Sequence, residues 1–451
     1  MTRTRAATLA FSIACSLVLI TSTQAQAGGL QKLNHIVVIY QENWSFDSLY
    51  GKFPGANGLG NAAGTSPQVD KDGEPFVTLP QPLNTSFNPA VPDPRFPADL
   101  PVQPFDTTQF VGPNQQTGDL VHRFYQEQYQ IDGGTMDQFV AWSDAAGLVM
   151  SYYDATNMPE GKLAQQFTLM DNFFHSAFGG SFLNHQFLIC ACVPTWPDAP
   201  ESIVAQLDAN GMMVKDGQVT PDGFAVNTSY SVNMPHPASA TALLPTQSAA
   251  TIGDRLSEKG VSWAWYSGGW NTAVLGHPDP LFQAHHQPFA YYANYADGTS
   301  GRTDHLRDEL DFYTDVATGR LPAVSFVKPL GPDNEHPGYA TLQNGQLHVA
   351  DLISAIQSSP AWDDTAIIIT YDEHGGRWDH VPPPVIDRWG PGLRVPTIII
   401  SPFARKGFVD HTQYETASIL RLIETRWQLE PLSTRDAAAG DLLTAFDFDQ
   451  N

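Results

Sequence analysis

The chain has 451 residues and carries 47 Asp and Glu against 23 Lys and Arg, a formal net charge of −24 at pH 7. Proteins bind nucleic acids and anionic membranes through Lys and Arg that neutralise phosphates, so this charge argues against both kinds of partner. A site that handles phosphate would need local cations or a bound metal to overcome the field of the whole chain.

The first residues have the three parts of a secretory signal. Arg3 and Arg5 provide a positive start, residues 6–20 are mostly apolar, and residues 25–27 offer small side chains for cleavage. We predict that residues 1–27 are a cleaved signal peptide and that the protein is periplasmic or secreted. The alternative is a buried helix or a retained anchor. The run is short for a bilayer and no later stretch is longer, so stable membrane insertion is not expected.

Short apolar, β-branched runs alternate with helical patterns along the rest of the chain. The predicted strands are Ile36–Tyr40, Val261–Tyr266, Ala323–Val327, Ala366–Tyr371 and Pro396–Ile400. The clearest helical patterns are Leu347–Ser358 and Glu415–Leu429. This alternation predicts an α/β fold, a three-layer sandwich in which a mainly parallel central sheet is covered by helices on both faces.

Two long regions interrupt the alternation. Residues 53–115 and 193–250 are rich in Pro, Gly, Asn, Ser and Thr and show little periodicity. Loops of this length in a compact protein are usually functional, so we predict cap insertions over the carboxyl edge of the sheet. Residues 28–451 are then one catalytic domain; its oligomeric state is unknown from the sequence.

Two cysteines remain after loss of the signal, at Cys190 and Cys192. They could form a tight disulfide in an oxidising compartment, or stay as two buried thiols. No second cysteine pair exists, which argues against a zinc site built on cysteine.

Acidic and amide side chains directly follow two of the predicted strands. Glu42 and Asn43 come after the first strand, and Asp372 and Glu373 come after the Ala366 strand. Ligands bind in open α/β sheets where strands end, and these four side chains offer the hard oxygen atoms that divalent cations prefer. The alternative for each residue is a cap or a turn former at a strand end.

A third polar cluster begins with the paired glycines Gly179 and Gly180, followed by Ser181. Glycines allow a sharp turn and a close approach of a ligand, and a helix starting at Ser181 would direct its free N–H groups at a phosphate. The serine is a candidate nucleophile, activated by a metal. The alternative is a simple N-cap.

Several histidines lie in loop-like or amphipathic contexts, where they can protonate a leaving group or hold a phosphoryl oxygen. They are His122, His285, His286 and His336. His336 is the strongest candidate, because its Pro, Gly, Asp and Asn neighbours are typical of a loop rather than a core. A lone histidine is otherwise more often structural.

The motifs that contain these residues resemble a known family. Residues His35–Asp47 and Tyr371–Pro384 are similar to two specific motifs of the bacterial phosphoesterase family that joins phospholipases C with respiratory-burst-inhibiting acid phosphatases, and the resemblance runs from about residue 33 to 430. It implies a fold like that of the alkaline phosphatase superfamily and phosphate-ester substrates. It also implies one divalent metal cation, of a kind that the residues do not identify.

The resemblance also implies roles for single residues. The metal ligands would be Glu42, Asn43, Asp372 and Glu373, together with Ser181, which would also be the nucleophile. The histidines of the phosphate pocket would be His122, His286 and His336. Further substrate-binding residues would be His285, Asn184 and His185.

The sequence departs from the phospholipase pattern at several positions. Trp44 replaces an arginine of the first motif, and in the nucleophile segment Gly180, Leu183 and His185 replace two prolines and an arginine. These changes resemble the acid phosphatase branch. They predict a secreted, metal-dependent acid phosphatase that acts on phosphate monoesters through a phosphoserine.

Three other functions compete with this prediction. The first alternative is a phospholipase C acting on phosphatidylcholine-type diesters. A sulfatase is disfavoured, since Trp196 stands where the similar sulfatase segment requires arginine. A secreted binding protein without catalysis is disfavoured by the intact set of candidate ligands and nucleophile.

Overall fold

An eight-stranded sheet forms the centre of residues 28–450, the part of the chain that this computed structural model describes. Its strands in chain order are β1 (His35–Gln41), β2 (Thr168–Met170), β3 (Trp263–Ser267), β4 (Leu306–Asp308), β5 (Val324–Lys328), β6 (Thr365–Tyr371), β7 (Thr397–Ile400) and β8 (Phe408–Asp410). Their spatial order is β4-β3-β5-β1-β6-β7-β2-β8. The five predicted strands are all in this sheet. The predicted signal peptide, residues 1–27, lies outside the described residues.

The sheet is parallel except at β7, which pairs antiparallel with both β6 and β2. The centre is β1, which is buried and pairs in parallel with β5 on one side and β6 on the other. A parallel strand buried on both faces reads as a continuous apolar run, which is the pattern of Ile36–Ile39. The mainly parallel sheet predicted from the sequence is therefore confirmed.

Eleven α-helices accompany the sheet within the described residues. They are α1 (Phe46–Tyr50), α2 (Phe124–Ile131), α3 (Pro159–Gln166), α4 (Ser181–Cys190), α5 (Ile252–Glu258), α6 (Trp270–Val274), α7 (Ser300–His305), α8 (Glu309–Ala317), α9 (Leu342–Gln357), α10 (Ala417–Trp427) and α11 (Thr434–Ala438). The two predicted helices correspond to α9 and α10. None of these helices is long and apolar enough to cross a membrane.

Helices cover both faces of the sheet. Successive side chains of a strand point to opposite faces, and Tyr40 of β1 and Tyr371 of β6 are one position out of step in the pairing register. The Tyr40 hydroxyl donates to the backbone carbonyl of Asn184 in α4, whereas that of Tyr371 lies 3.2 Å from Glu160 in α3. The two helices therefore lie on opposite faces, which confirms the three-layer arrangement.

Outside the central sheet, the described residues form five short two-stranded ladders. The paired segments are Leu83–Asn84 with Val91–Pro92, Phe105–Asp106 with Ser151–Tyr152, Phe173–Phe174 with Tyr414–Glu415, Gln206–Leu207 with Met213–Lys215, and Tyr230–Ser231 with Leu243–Leu244. Residues 53–115 contribute Leu79, Phe96 and Phe105 to a second apolar cluster that includes Trp378. Cys190 and Cys192 are joined in a disulfide, the first of the two arrangements that the sequence left open.

Candidate active site

Charged side chains meet where the three central strands end. Gln41 of β1 pairs with Tyr371 of β6, so Glu42 and Asp372, the next residue of each strand, come out side by side. Lys328, the last residue of β5, lies in an ion pair with Glu42 on the other side. All of these side chains are fully buried. The carboxyl edge of the sheet is therefore the candidate site, where ligands bind in open α/β folds.

The turn before α4 brings Ser181 to this edge. Gly179 has a left-handed φ of 90°, and a Cβ on it would lie 2.6 Å from the backbone nitrogen of Phe124. A Cβ on Gly180 would lie 2.8 Å from the carbonyl oxygen of His122. The glycine pair is required because the His122 backbone packs directly on this turn. Ser181 then begins α4, and its hydroxyl donates to Glu42 Oε2 at 3.1 Å.

The side-chain amide of Asn43 completes a group of converging oxygens. One amide atom lies 3.0 Å from Glu42 Oε2 and 2.8 Å from Glu373 Oε1. With the oxygen in that place, the atoms around it are acceptors only, an arrangement that a cation satisfies; with the nitrogen there, the amide donates to both carboxylates. The backbone N–H of Asn43 donates to Asp372 Oδ1 at 3.1 Å.

Burial and mutual repulsion set the pKa values of the three carboxyl groups. Burial opposes ionisation of Glu42, but His286 and Lys328 outweigh it and hold the pKa of Glu42 well below its usual range. Burial raises the pKa of Asp372 to about 7, with a further contribution from Glu42. Burial and the neighbouring Asp372 raise the pKa of Glu373 well above its ordinary value. Ionisation of Asp372 and Glu373 is thus unfavourable unless a positive charge lies beside them.

Histidines surround the serine from three separate segments. His286 Nε2 lies 2.7 Å from Glu42 Oε1, and burial lowers the pKa of His286 to about 4. His122 Nε2 lies 3.8 Å from Glu373 Oε1. His336 Nε2 lies 3.2 Å from the amide of Asn43. The structure therefore brings the predicted metal-ligand set and these histidines together around one hydroxyl.

A polar cavity of about 260 Å³ opens above Ser181. Its walls are Glu42, Asp119, His122, Arg123, Gly180, Ser181, Asn227, Thr228, Gln283, His285, His286, His336 and Tyr339. Asn43, Asp372 and Glu373 are not among the wall residues and are fully buried. The cavity thus exposes the serine and the histidines, whereas three of the candidate ligands lie beneath the surface.

Comparison with known proteins places the chain in a family. The sequence profile of the Phosphoesterase family matches residues 33–430. This chain belongs to the Phosphoesterase family. The family resemblance expected from the two motifs is confirmed, and the protein is a phosphoric ester hydrolase.

The relatives of this phosphoesterase include named phospholipases. It is 28% identical over 470 residues to "Phospholipase C B" of Mycobacterium tuberculosis (strain ATCC 25618 / H37Rv), covering 93% of this chain and 79% of that protein. It is 25% identical over 487 residues to "Non-hemolytic phospholipase C" of Burkholderia pseudomallei (strain K96243), covering 94% and 60%. A solved protein of the alkaline phosphatase superfamily from Vibrio parahaemolyticus is 11% identical over 63% of each chain, with a TM-score of 0.34.

The donor set of the phosphoesterase fits a divalent cation. Glu42 Oε2 lies 3.1 Å from Ser181 Oγ, and the Asn43 amide lies 2.8 and 3.0 Å from two carboxylates. Ligand oxygens about 2.1 Å from an octahedral cation are separated by roughly 3 Å, so these spacings match. Asp372 Oδ2 is buried and has no hydrogen-bond partner in the described part of the chain, so it is a further available ligand atom.

Two predicted substrate-binding residues are not at the cavity. Asn184 is fully buried, and its amide bonds the backbone at Ala177 and Gly179, which shapes the turn before Ser181. His185 is also fully buried, with Nδ1 2.7 Å from the Ser181 carbonyl. One helical turn carries each of these side chains away from the cavity, so both support the loop. His285, in contrast, lines the cavity.

Sequence reasoning missed several cavity and site residues. Lys328 had a usable signal, because it directly follows a predicted strand as Glu42 and Asp372 do. Tyr339, which stacks on His336 with ring centroids 4.3 Å apart, had the signal of lying in the same loop. Asn227 and Thr228 had none, since they come from the middle of a long aperiodic region.

Proposed function

We propose that this phosphoesterase hydrolyses phosphate monoesters, as an acid phosphatase does, through a phosphoserine formed on Ser181. The supporting observation is the Ser181 hydroxyl, held 3.1 Å from Glu42 Oε2 at the floor of a 260 Å³ polar cavity walled by four histidines. That volume is at the small end of ligand sites and suits a phosphoryl group better than a bulky one. Tyr339 is the only Phe, Tyr or Trp in the cavity wall, too few for an aromatic cage around choline.

The proposed cofactor is one divalent cation. Its ligands would be Glu42, Asn43, Ser181, Asp372 and Glu373. When bound, it would supply Lewis-acid stabilisation of the serine alkoxide and of the phosphoryl oxygens, worth several kcal/mol. The buried carboxylates beside it would no longer repel one another.

Residues of the chain itself align the serine with the phosphate and transfer the protons. Ser181 attacks phosphorus in line, and its hydroxyl proton passes to Glu42 Oε2, the atom that already accepts its hydrogen bond. The start of α4 points free N–H groups at the phosphate, which stabilises its negative charge. Before the attack, Lys328 and His286 hold Glu42 as a carboxylate, and the same proton returns to Ser181 when the phosphoserine is hydrolysed.

Two histidines have the geometry of proton donors to the leaving group. Nδ1 of His122 lies 2.5 Å from the Leu120 carbonyl, and Nδ1 of His336 lies 2.5 Å from the Pro337 carbonyl. A carbonyl only accepts, so Nδ1 of each ring carries the proton and Nε2 remains the atom that exchanges one with substrate. His285 and His286 stabilise the other phosphoryl oxygens. Water then attacks from the vacated side and frees the serine.

Phospholipase C activity is the second candidate, and two observations favour it. Its curated relatives are named phospholipases C. A second cavity of about 580 Å³, with a largely apolar wall that includes Met234, Pro235, Pro278 and Phe282, shares Gln283 with the catalytic cavity. A diacylglycerol leaving group would find apolar surface there.

A matched pair of substrates tests the choice. p-Nitrophenyl phosphate and p-nitrophenylphosphorylcholine share one leaving group and differ only in the choline ester, and phosphatidylcholine micelles add the lipid. We expect the highest kcat/KM on the monoester, with Ser181→Ala inactive on all three. A higher kcat/KM on either choline substrate would contradict the monoester proposal and establish the second candidate.

We also infer the organisation of the chain around this activity. Residues 28–451 would be one catalytic domain whose insertion at 193–250 shapes the cavity, since Asn227 and Thr228 lie in its wall. The insertion at 53–115 contributes no wall residue. Export after cleavage of residues 1–27 would place the enzyme in the periplasm or outside the cell. N-terminal sequencing of the exported protein tests that cleavage.

A further inference from the structure

Beneath the catalytic turn lies a buried group of three side chains that the proposed reaction does not use. Glu127 of α2, His175 and His374 are each fully buried, and none of them lines the catalytic cavity. Their ligand-type atoms all lie within 4.8 Å of one another. Buried charges and imidazoles require partners, so the contacts of these three groups must account for every polar atom.

The Nδ1 atoms of His175 and His374 already have hydrogen-bond partners. His175 Nδ1 lies 2.8 Å from the carbonyl oxygen of Ala177, and His374 Nδ1 lies 3.2 Å from that of Arg377. Because carbonyls only accept, both Nδ1 atoms carry hydrogen and donate. The neutral rings therefore present bare Nε2 lone pairs, and within residues 28–450 neither Nε2 has a hydrogen-bond partner.

Both lone pairs point at the same carboxylate oxygen. Glu127 Oε1 lies 2.9 Å from His175 Nε2 and 3.6 Å from His374 Nε2. The carboxylate itself is held by backbone donors, with Gly179 N–H on Oε2 at 2.5 Å and Leu393 N–H on Oε1 at 3.1 Å. Three acceptors thus face one another in the interior, which is unfavourable unless something positive lies between them.

Protonation does not resolve this arrangement well. A second proton on His175 would satisfy its contact with Glu127 but leave the His374 lone pair facing an acceptor. A second proton on each ring would stack two cations with centroids 5.4 Å apart and planes within 10°, around a single carboxylate.

We propose that Glu127, His175 and His374 form a second metal site, distinct from the catalytic one and suited to Zn²⁺. With zinc about 2.05 Å from each ligand atom, separations of 2.9 and 3.6 Å correspond to two of the three angles at the metal, about 90° and about 120°. Two imidazoles and a carboxylate are a common zinc donor set, and a water would take the fourth position. The Nδ1–H to carbonyl bonds are the outer contacts that orient metal-bound histidines.

The site would act by positioning. His374 directly follows Glu373, and Glu127 bonds the backbone of Gly179, two residues before Ser181. A metal here would tie α2, the turn before the serine and the loop after β6 into one unit. The nucleophile and the Asp372–Glu373 pair would then be held in register with each other.

Metal counting and cobalt spectroscopy on the full-length mature protein test the proposal. After stripping and reloading with Zn²⁺, we expect two equivalents per chain by elemental analysis, one in His175→Gln and one in Asp372→Asn. With Co²⁺, the strong visible absorption of a four-coordinate ion should persist in Asp372→Asn and disappear in His175→Gln. His348→Gln, which breaks a contact of 2.5 Å between a histidine and Glu309 elsewhere, is the matched control and should keep both equivalents.

Two results would overturn the proposal: retention of both equivalents in His175→Gln, or a wild-type protein whose metal is lost entirely in Asp372→Asn. Should His175→Gln fail to fold, anomalous diffraction at the zinc edge from wild-type crystals decides the matter. A peak between the three side chains supports the site, and its absence from zinc-soaked crystals refutes it. These outcomes do not depend on whether Ser181 is the nucleophile, so failure of the proposed function would leave them unchanged.

Discussion

Replacement of Ser181 by alanine separates the catalytic role of the serine from a structural one. The side chain is 5% exposed, and its hydroxyl makes a hydrogen bond of 3.1 Å to Glu42 Oε2. Loss of one hydrogen bond to a charged acceptor costs about 2 kcal/mol of folding stability. In a chain of this size, that corresponds to a fall of only a few degrees in Tm. The variant should therefore fold.

The loss of activity should be far larger. Removal of a nucleophile typically lowers kcat by about 10⁴-fold or more, which corresponds to about 5.4 kcal/mol or more at the transition state. This exceeds the stability cost by more than a factor of two, so the two effects are separable. The assay is kcat/KM on p-nitrophenyl phosphate, alongside Tm by calorimetry. Intact mass of acid-quenched wild type should show a phosphoryl adduct that the variant lacks.

Ser176→Ala is the matched control. Ser176 is buried on the same loop, and its hydroxyl accepts one hydrogen bond of 2.9 Å from the backbone of Ala417. It should lose similar stability and keep most of the activity. Activity of Ser181→Ala within tenfold of wild type would refute the assignment of the nucleophile.

Four further outcomes follow from the charged groups and the proposed metal. Burial and Glu42 raise the pKa of Asp372 to about 7 from about 4, so the metal-free protein binds a proton that the unfolded chain releases and loses stability as pH rises through that window. Asp372→Asn should therefore raise the Tm of the metal-free protein at pH 8 but not at pH 4. An equal rise in Tm at both pH values would contradict the raised pKa of Asp372. Separately, removal of the metal should abolish phosphatase activity. Burial and the nearby Asp436 raise the pKa of Glu424 to about 9. The free energy of unfolding therefore falls as pH rises from about 4 to 9. Glu424→Gln should have a higher Tm than wild type at pH 8.5 and the same Tm at pH 4. Lys328→Met removes a cation beside Glu42 and should lower kcat/KM by roughly 10²–10³-fold with an unchanged circular dichroism spectrum; near-normal kinetics would show that Lys328 is dispensable.

The sequence was informative wherever the signal was local. A buried parallel strand needs apolar side chains on both faces, which is why β1, β5 and β6 are legible as runs. The residues that follow such strands must come out at one edge, so Glu42 and Asp372 could be assigned to a common site before their contact was known.

Which residues of a helix face the cavity was harder to predict from the sequence. Asn184 and His185 belong to the same motif as Ser181 and lie on the same side of α4, but they are about 4.5 and 6 Å further along its axis, and only the serine faces the cavity. Which of them contacts substrate depends on where the start of α4 lies against the sheet. That position is set by packing partners such as Tyr40, whose ring lies 4.9 Å from that of His185.

By itself, the sequence determined the parallel α/β architecture, the family and the pairs of side chains that end β1 and β6, because each depends on neighbours along the chain. Only the tertiary structure decided that the region at 193–250 supplies Asn227 and Thr228 to the cavity wall, and that the Lys328 side chain lies beside Glu42. It alone brought Glu127, His175 and His374 together. These three residues are separated by 48 and 199 positions in the chain, and no periodicity links segments so far apart until the backbone has packed them against one another.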